Sequence, residues 1–521
     1  MDNKVMKLAL IAPTPPDISA FGVRSLSAFL RQQGVQVTTI FLPGGVEQTR
    51  YNRRFVYRYP EPLLEQVKAR VSGADLIGVS LMTNYYDRAV QITESLRPLR
   101  IPIIWGGIHP TVKPDESLEH ADMVCIGEGE EALFEVLEHV RMDRHPAGVG
   151  NIWCRENGTI VRNAPRPLGK TLDRYPFADY SGRHDFITNL EKNELVPLSA
   201  DMLRRLLPHE PTPQGEFLPS YKILTARGCP YQCSFCAIQM LKQLYGEEKF
   251  HRTRSIDHVM EELKYIKRKF PFVGIINIFD DIFLARPLED ILDFARRYKE
   301  DIGLPFECQV SAGTLTEKKL DVLVGAGLIF VEMGIQAASE ASRNLYCRKE
   351  TDDTVLRAAT LLHHYRDRML PPCYHVILDN PWETTEQTLE TFDLLTCLPG
   401  PFWMKKASLV CYPGTPLYQR ARSEGMLRDE KAEIYRKHLH TPSASYPNLL
   451  IHLVEPPRFP RSLLRMLRRP SVVKILDRRG LQSFYGLFLR LIAIGRLFGK
   501  GLGALLRGDV KRIKRYLWRT R

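Results

Sequence analysis

The sequence predicts an α/β protein with a flavodoxin- or Rossmann-like N-terminal domain, a partial (β/α)6 barrel and a basic helical C-terminal extension. Strand and helix patterns alternate from about residue 5 to residue 140, and a second series of strand–helix pairs starts at Tyr221. After residue 455 the composition becomes strongly basic. These changes place the N-terminal domain at 5–145, a linker at 146–219, the barrel at 220–425 and the extension at 426–521.

The composition fits a cytoplasmic protein of this class. The chain has 521 residues, of which 44% are hydrophobic and 26% charged, which is ordinary for large α/β proteins. The apolar run Leu8–Ile11 is stopped by Pro13, so it is too short for a signal peptide and favours a first β-strand. Ten cysteines without a secretory signal fit the reducing cytosol and argue against a disulfide framework.

The N-terminal domain has the alternating pattern of a parallel sheet covered on both faces. Open sheets of this kind bind ligands beyond the carboxyl ends of their strands. In this chain those positions are the loops Ser80–Thr83, Gly106–Thr111 and Gly127–Glu130. We predict strands at Lys7–Ala12, Val35–Phe41, Leu76–Ser80, Ile101–Trp105 and Met123–Ile126, with helices at Gly22–Gln33, Tyr86–Leu96 and Ala132–Val140.

The linker carries weaker signals. Asn151–Arg162 reads as a hairpin around Asn157-Gly158, which favours a tight turn. Ser181–Pro219 is rich in proline and is predicted as a connector with one short helix at Asp201–Leu207. We assign no chemistry to this segment.

The barrel region contains about six strand–helix pairs, fewer than a closed eight-fold barrel needs. Barrels of this kind place their sites at the carboxyl ends of the strands. The predicted helices include Ile256–Lys269 behind an N-cap at Ser255, and Asp352–Arg366. The predicted strands are Tyr221–Ala226, Gly274–Phe279, Phe306–Val310, Phe330–Ile335, Cys373–Leu378 and Lys405–Cys411.

Three cysteines follow the first of these strands with the spacing C-x3-C-x2-C: Cys229, Cys233 and Cys236. Three thiolates on one loop can hold three irons of a [4Fe–4S] cluster and leave the fourth iron open for a chelating ligand. A zinc site is disfavoured because zinc usually takes four ligands from two separated pairs, and the next cysteine is the distant Cys308. We expect the other cysteines, such as Cys308 and Cys411, to be buried apolar residues.

This motif resembles the signature of the radical S-adenosylmethionine (radical SAM) family. The resemblance implies that the open iron binds S-adenosylmethionine, that an external donor of the flavodoxin or ferredoxin type reduces the cluster, and that cleavage gives a 5′-deoxyadenosyl radical. Phe235 matches the aromatic position beside the adenine. Asp280 and Asp281 resemble the position that contacts the amino group of S-adenosylmethionine, and a helix cap is the alternative reading of this pair.

Further segments resemble the same family. Gly334–Ala338 resembles its G-I-E-S segment, with Gln336 in place of Glu. Ser311 is expected to bind a ribose hydroxyl or a carboxylate, and Arg348 to pair with the methionine carboxylate. Leu378–Thr384 resembles the G-x-P-G-E-T turn, although both glycines are replaced, and Tyr412–Leu417 resembles the segment that ends the barrel.

The N-terminal loops resemble the cobalamin-binding domain that precedes many radical SAM domains. Where that domain carries D-x-H-x-x-G, this chain has Asp17–Gly22 with Ser19 in the histidine position, which implies cobalamin without a protein histidine on cobalt. An ordinary flavodoxin-like domain is the alternative. His109 is interpreted as a loop residue and not as an axial ligand. The predicted cobalamin-binding residues are Ser80, Met82, Thr83, Gly106, Gly107, His109, Thr111, Gly127, Glu128, Gly129 and Glu130.

Together these resemblances cover about residues 5 to 425 and imply methylation of an unactivated carbon by way of methylcobalamin and a 5′-deoxyadenosyl radical. The alternatives are a cobalamin-dependent radical rearrangement or cyclisation without methyl transfer, and a cobalamin or redox sensor. The expected substrate is a small molecule or a lipid, and no motif indicates which, or which residues would contact it.

The C-terminal 66 residues, from Pro456, contain 18 of the 73 Lys and Arg residues and 2 of the 60 acidic ones, a net charge of +16 that leaves the rest of the chain at −3. Arg490 and Arg496 interrupt the apolar runs, so a spanning helix is not predicted. Lys511–Arg519 fits an amphipathic helix on anionic lipid, which suggests peripheral contact with the inner membrane face. A helical cap on the barrel is the alternative, and no nucleic-acid-reading motif accompanies the charge.

Overall fold

The computed structural model describes residues 5–14, 18–43, 58–182, 184–189, 192–246, 250–437, 439, 442–455, 459–489 and 491. The chain divides into two compact units. The first unit comprises the chain through Asp281 together with Arg296–Pro305 and Cys411–Lys437. The second unit comprises Ile282–Ala295, Phe306–Val410 and the chain from His438 onward.

The first unit is built on a nine-stranded sheet with the strand order β7-β6-β5-β4-β3-β1-β2-β8-β9. The centre of the sheet consists of six parallel strands, in the order β5, β4, β3, β1, β2 and β8. Strands β6, β7 and β9 extend its two edges and are antiparallel to their neighbours. The strands are β1 Lys7–Ala12, β2 Gln36–Phe41, β3 Leu76–Ser80, β4 Ile103–Gly106, β5 Met123–Cys125, β6 Ile152–Glu156, β7 Thr159–Arg162, β8 Asp185–Asn189 and β9 Glu194–Pro197.

Buried apolar strands hold this sheet together. Leu8 to Ala12 of β1 are all buried, as expected for a parallel strand that is covered on both faces. The helices of this part of the unit are α1 Phe21–Gln32, α2 Glu61–Val71, α3 Tyr86–Leu96, α4 Ile108–Val112, α5 Pro114–Ser117, α6 Glu130–Arg141 and α7 Ala200–Leu206.

The predicted strands and helices of the N-terminal domain are present, with bounds that shift by one or two residues. The β6–β7 hairpin and the short helix α7 also agree with the prediction for the linker. The linker nevertheless supplies three unpredicted strands: the short β10 (His209–Pro211) and the paired strands β8 and β9. Their apolar signal is weak because β8 carries the buried Asp185, which accepts hydrogen bonds from Thr39 Oγ1 at 2.5 Å and Arg31 Nη2 at 3.1 Å.

The first unit also contains the beginning of the barrel. Strand β11 (Phe217–Ile223) pairs in parallel with β14 (Ile275–Ile278) and antiparallel with β10 (His209–Pro211). A two-stranded ribbon of β12 (Ala226–Arg227) and β13 (Arg252–Thr253) follows. The helices are α8 Ile238–Tyr245, α9 Ile256–Lys269 and, in the returning segment, α15 Pro416–Ser423; as predicted, Ser255 caps α9 by accepting from His258 N at 3.1 Å.

The second unit contains four parallel strands: β15 (Phe306–Val310), β16 (Leu328–Gln336), β17 (Cys373–Leu378) and β18 (Trp403–Ser408). The fold class predicted for this region, a partial barrel of parallel strands with helices between them, is confirmed. The helices are α10 Leu288–Arg297, α11 Glu317–Ala326, α12 Glu340–Leu345, α13 Asp352–His364, α14 Thr385–Cys397, α16 Tyr446–Val454, α17 Arg461–Leu467 and α18 Pro470–Leu476.

Within the described residues, the C-terminal extension contains a buried helix followed by exposed apolar side chains. Helix α16 packs against α14, and Leu450 and Ile451 are fully buried there. Farther along the chain, Phe484 and Leu487 are exposed by 61% and 57%. No helix within the described ranges is both long enough and apolar enough to cross a lipid bilayer.

Candidate active site

The cysteine loop has a fixed backbone. Gly228 has φ +87°, and a Cβ at this position would lie 2.7 Å from the Phe250 ring, so only glycine fits between β12 and the first cysteine. Inside the loop, Cys236 N donates to Cys233 O at 3.0 Å. The buried Lys242 donates from Nζ to Tyr231 O at 2.6 Å. These contacts fix the course of the loop backbone.

The three cysteines of this loop are partly exposed, and Cys308 and Cys411 are buried, as predicted. The expectation that all the other cysteines are buried is wrong for Cys347 and Cys397, which are exposed. Burial raises the pKa of Cys229 to about 11 and that of Cys236 to about 12. The nearby Asp281 and Cys233 also raise the pKa of each of these two thiols. A positive iron centre would reverse this preference and favour the thiolates. The loop therefore fits the cluster.

No group of three or more His, Cys, Asp or Glu side chains in the described part of the chain is arranged to hold a single metal ion. An iron–sulfur cubane has a different requirement, because each cysteine binds a separate iron.

Asp280 and Asp281 have different environments. Asp280 is 2% exposed, and its carboxylate accepts hydrogen bonds from Thr225 N at 2.6 Å and from Ala226 N at 3.1 Å. Asp280 therefore ties the end of β14 to the strand that leads into the cysteine loop. Asp281 is exposed, yet burial and the charge of Asp280 raise its pKa to about 6, a combination expected of a side chain that lines a concavity. Of this pair, only Asp281 presents a carboxylate to a ligand.

In the second unit, Ser311 and Arg348 both contact the carboxylate of Glu350, a residue that the sequence analysis does not predict. Ser311 Oγ donates to Glu350 Oε1 at 2.5 Å, and Arg348 Nη2 lies 3.2 Å from the same oxygen. Glu350 is 8% exposed, and its Oε2 has no hydrogen-bond partner among the described residues. A buried acceptor of this kind requires a donor, such as a ribose hydroxyl of S-adenosylmethionine.

Gln336 lies beside this group. Its backbone has φ +71°, and its Nε2 lies 2.6 Å from the point where a Cβ on Gly334 would be. Arg348 Nη2 donates to Gly334 O at 3.0 Å. The structure therefore brings together Ser311, Gln336 and Arg348, as the resemblance implies, and adds Glu350 to them.

The predicted cobalamin loops lie at one edge of the nine-stranded sheet, because Ser80 and Gly106 are register partners at the ends of β3 and β4. Several of their residues are open to a ligand. Met82 is 50% exposed and Gly107 is also exposed, at φ +101° with Leu81 O only 2.7 Å from a Cβ position. The remaining partly exposed residues are Ser80, Gly106, Gly127, Glu128 and Gly129.

Four other predicted cobalamin residues are buried and connect the loops to one another. Thr111 Oγ1 donates to Gly107 O at 2.8 Å and accepts from Gly127 N at 3.0 Å. Thr83 Oγ1 lies 3.4 Å from His109 Nδ1. His109 is 0% exposed, and burial together with Lys113 lowers its pKa to about 3, so the ring is neutral. The buried side chain of His109 packs inside the domain and supports the loop there. Contact between the backbone of this loop and cobalamin remains a prediction.

The fourth buried residue, Glu130, connects the third cobalamin loop to the cysteine loop. Its carboxylate accepts from Arg227 Nη2 at 2.6 Å and from Ser25 Oγ at 2.8 Å. Arg227 stands two residues before Cys229 and also lies 3.3 Å from Glu128 Oε1. Burial alone would raise the pKa of Glu130, but the charge and the hydrogen bonds of Arg227 and Ser25 lower it.

Tyr245, at the end of α8, supports the same loop. Its hydroxyl accepts from Glu128 N at 2.7 Å and lies only 1.7 Å from a Cβ position on Gly127, which has φ +75°. Glycine is therefore required at position 127 for the tyrosine hydroxyl to reach the loop.

Two further sequence features lie in separate units. Ser19, in the position of the axial histidine, is 5% exposed, while Asp17 of the same motif lies outside the described residues. In the Leu378–Thr384 turn, Asp379 replaces a glycine and still adopts φ +58°, while Asn380 Oδ1 accepts from Trp382 N at 3.0 Å. At Asp379, therefore, the turn has a glycine-like positive φ without a glycine.

Family models match both parts of the chain: the B12 binding domain over residues 7–137 and the radical SAM superfamily over residues 223–395. The chain is a B12-binding member of the radical SAM superfamily. It is a radical SAM enzyme whose cofactors are a [4Fe–4S] cluster, S-adenosylmethionine and cobalamin. The residues described above fit these groups.

Relatives of this radical SAM enzyme include an uncharacterised methyltransferase, PH0819, of Pyrococcus horikoshii, which is 23% identical over 68% of the chain and 70% of its own length. An anaerobic magnesium-protoporphyrin IX monomethyl ester cyclase of Rubrivivax gelatinosus is 24% identical over 63% of the chain, and the match spans 56% of the cyclase. The solved structure of the radical SAM methyltransferase TsrM from Kitasatospora setae, with cobalamin and a [4Fe–4S] cluster bound, has a TM-score of 0.60 at 18% identity and covers 81% of this chain and 78% of TsrM. This likeness shows the shared fold.

Proposed function

We propose that this enzyme methylates an unactivated carbon of its substrate. The observation that supports the proposal best is the Glu130–Arg227 ion pair, because it joins a cobalamin loop to the residue pair preceding Cys229. Such a reaction needs the methyl carrier and the radical source close together. When bound, cobalamin would carry the methyl group, and S-adenosylmethionine would supply both that group and the 5′-deoxyadenosyl radical.

The chain's own residues would position these groups. Cys229, Cys233 and Cys236 would hold the cluster, and Asp281 would receive the ammonium of S-adenosylmethionine. The exposed edge at Met82 and Gly107 would support the corrin. The roles of Ser311, Gln336, Arg348 and Glu350 toward S-adenosylmethionine are part of the same proposal.

The test uses S-adenosylmethionine with a deuterated methyl group on anaerobically reconstituted protein with cobalamin, a flavodoxin-type reductant and an extract of small molecules. We expect a labelled product together with equal amounts of S-adenosylhomocysteine and 5′-deoxyadenosine. Turnover that releases 5′-deoxyadenosine and an unlabelled product would overturn methyl transfer. That result would favour the second candidate, a radical ring closure, which the likeness to the Rubrivivax cyclase supports. A sensor would give no turnover.

We also propose that the C-terminal extension contacts an anionic membrane surface. Apolar side chains that are about half exposed or more lie in the same stretch as exposed basic ones, a combination that suits the boundary between acyl chains and anionic headgroups. The predicted helix Lys511–Arg519 lies outside the described residues. The exposed apolar residues are Ile475, Phe484, Leu487 and Leu491, with Met466 at 45%, and the exposed basic ones are Arg461, Arg465, Arg469, Lys474 and Arg478.

Sedimentation with vesicles, with and without anionic lipid, tests this contact. We expect binding that requires the anionic lipid, weakens with salt and is lost in Phe484→Glu. Met142→Glu is the matched control, because Met142 is 48% exposed in the first unit. Equal sedimentation of Phe484→Glu and Met142→Glu would refute the proposal.

A further inference from the structure

Three titratable side chains meet on neighbouring strands of the second unit. His375 on β17 lies with Nε2 2.9 Å from Glu332 Oε2 on β16, and Lys405 on β18 lies with Nζ 2.5 Å from Glu332 Oε1. No sequence motif contains these residues, and none of the roles described above involves them.

The cluster lies on the same face of the sheet as the residues assigned to S-adenosylmethionine. Side chains alternate along a strand, so Glu332 and Gly334 point to one face and Val331 and Met333, both 0% exposed, point to the other. A Cβ on Gly334 would point toward Gln336 Nε2. Gln336, the last residue of β16, therefore covers the face that carries Glu332 and lies four residues nearer the carboxyl end of the strand.

The ionised Glu332 carboxylate fixes that Nε2 of His375 carries a proton. Burial would raise the pKa of Glu332, but the hydrogen bond of His375 and the charge of Lys405 lower it to about 2, so the carboxylate is ionised. His375 Nε2–H therefore donates to Glu332. In the neutral imidazole this leaves Nδ1 as an acceptor. No described residue makes a hydrogen bond to Nδ1, and the side chain is 30% exposed.

An aromatic pair adjoins the cluster. Trp403 and Lys405 are two residues apart on β18 and therefore share a face. The ring of Trp403 packs 5.7 Å from that of Phe330, and Trp403 remains 39% exposed. An exposed indole beside a fixed acceptor and an ammonium group is a surface for a flat molecule with a polar edge.

We propose that this face is the substrate subsite, in which Trp403 binds a flat unsaturated ring system and His375 Nδ1 accepts a hydrogen bond from an O–H or N–H group on that ring. Glu332 acts as a positioning residue for His375, and Lys405 donates to the same polar group. The assignment rests on the proposed function, because it takes this face to hold the substrate of the radical reaction. It narrows the substrate class to planar, protic molecules.

The test is a binding titration of the full-length reconstituted protein with 2-naphthol and with its methyl ether. Both probes offer the ring and an oxygen acceptor, but only 2-naphthol has the O–H donor. We expect the wild type to prefer 2-naphthol by about threefold to tenfold, the range expected for one neutral hydrogen bond. Trp403→Leu should weaken the binding of both probes.

His375→Ala should abolish the preference and leave the affinity for the ether unchanged. Glu332→Gln should reduce the preference, because the amide oxygen holds the imidazole less strongly than a carboxylate does. His364→Ala, on the exposed end of α13, is the control and should match the wild type. No binding, no preference in the wild type, or binding that neither Trp403→Leu nor His375→Ala changes would overturn the proposal. The assay requires no turnover, so its result is independent of whether methyl transfer occurs.

Discussion

Replacing Glu130 by alanine tests the connection between the cobalamin loop and the cysteine loop. Removing one partner of a buried ion pair costs about 3 to 5 kcal/mol when the other charge is left without compensation. Arg227 would keep its contact with Glu128 at 3.3 Å, and its side chain is 26% exposed, so the cost should be smaller. Adding the lost Ser25 hydrogen bond, we expect Glu130→Ala to lower the free energy of unfolding by about 2 to 3 kcal/mol.

The assay is denaturant unfolding of the cofactor-free protein under reducing, anaerobic conditions, with the first unit's transition followed separately because two units need not unfold together. Glu130→Gln keeps an acceptor for Arg227 and should show about half the loss. Glu131→Ala is the matched control. Its partners are Arg174 and, at 4.0 Å, Arg166. All three side chains are about one third exposed or more, so the loss should be about 0.5 kcal/mol or less.

The pH dependence gives a second check. The folded-state pKa of Glu130 lies below its unfolded value, so its stabilisation is complete above about pH 4 to 5 and is lost as the pH falls through the folded value. The difference between wild type and Glu130→Ala should therefore be constant at neutral pH and shrink in acid. A loss no larger than that of Glu131→Ala, at every pH, would show that the ion pair does not hold the loops.

Three other variants test separate features. Cys236→Ala should abolish the iron content of the reconstituted protein, and retention of about four irons would contradict the assignment of the cluster loop. Gly127→Ala should destabilise the protein and weaken cobalamin binding by more than Gly158→Ala does. Both glycines have positive φ, but only at position 127 would the new Cβ clash with the Tyr245 hydroxyl. Equal losses of stability and of cobalamin affinity, measured by denaturation and by dialysis, would exclude this steric explanation. Asp379→Ala should lower the free energy of unfolding by about 2 kcal/mol. It removes the acceptor for hydrogen bonds from Ser443 and Asn448 at 2.5 to 2.8 Å, and it places alanine, which makes no side-chain hydrogen bond, at φ +58°. Asp379→Asn should cost less, and similar unfolding midpoints for the wild type and both variants would argue against this role.

Much of the fold could be predicted because the decisive signals are local. The cysteine spacing lies within eight residues, and the buried strands are continuous apolar runs such as Leu8–Ile11. Strands β8 and β9 were missed because the burial of Asp185 depends on partners about 150 residues away.

The site was predicted less completely because sequence does not show which polar groups are already paired. Asp280 and Asp281 look equivalent in sequence, but the carboxylate of Asp280 already accepts hydrogen bonds from the backbone amides of Thr225 and Ala226. Glu350 carries no motif, and its importance follows from an unpaired buried oxygen. The contact of Glu332 with His375 and Lys405 requires the register of three strands, which no local pattern specifies.

The return of Cys411–Lys437 to the first unit affects how the protein folds during synthesis. Asn84 binds Tyr435 O at 3.0 Å across 351 residues, and Arg436 pairs with Asp87 at 2.7 Å. At typical translation rates the ribosome needs roughly 20 to 70 s to make that intervening stretch. The first half of the protein must wait for that time with an uncovered surface, which makes it a candidate for chaperone binding as a nascent chain.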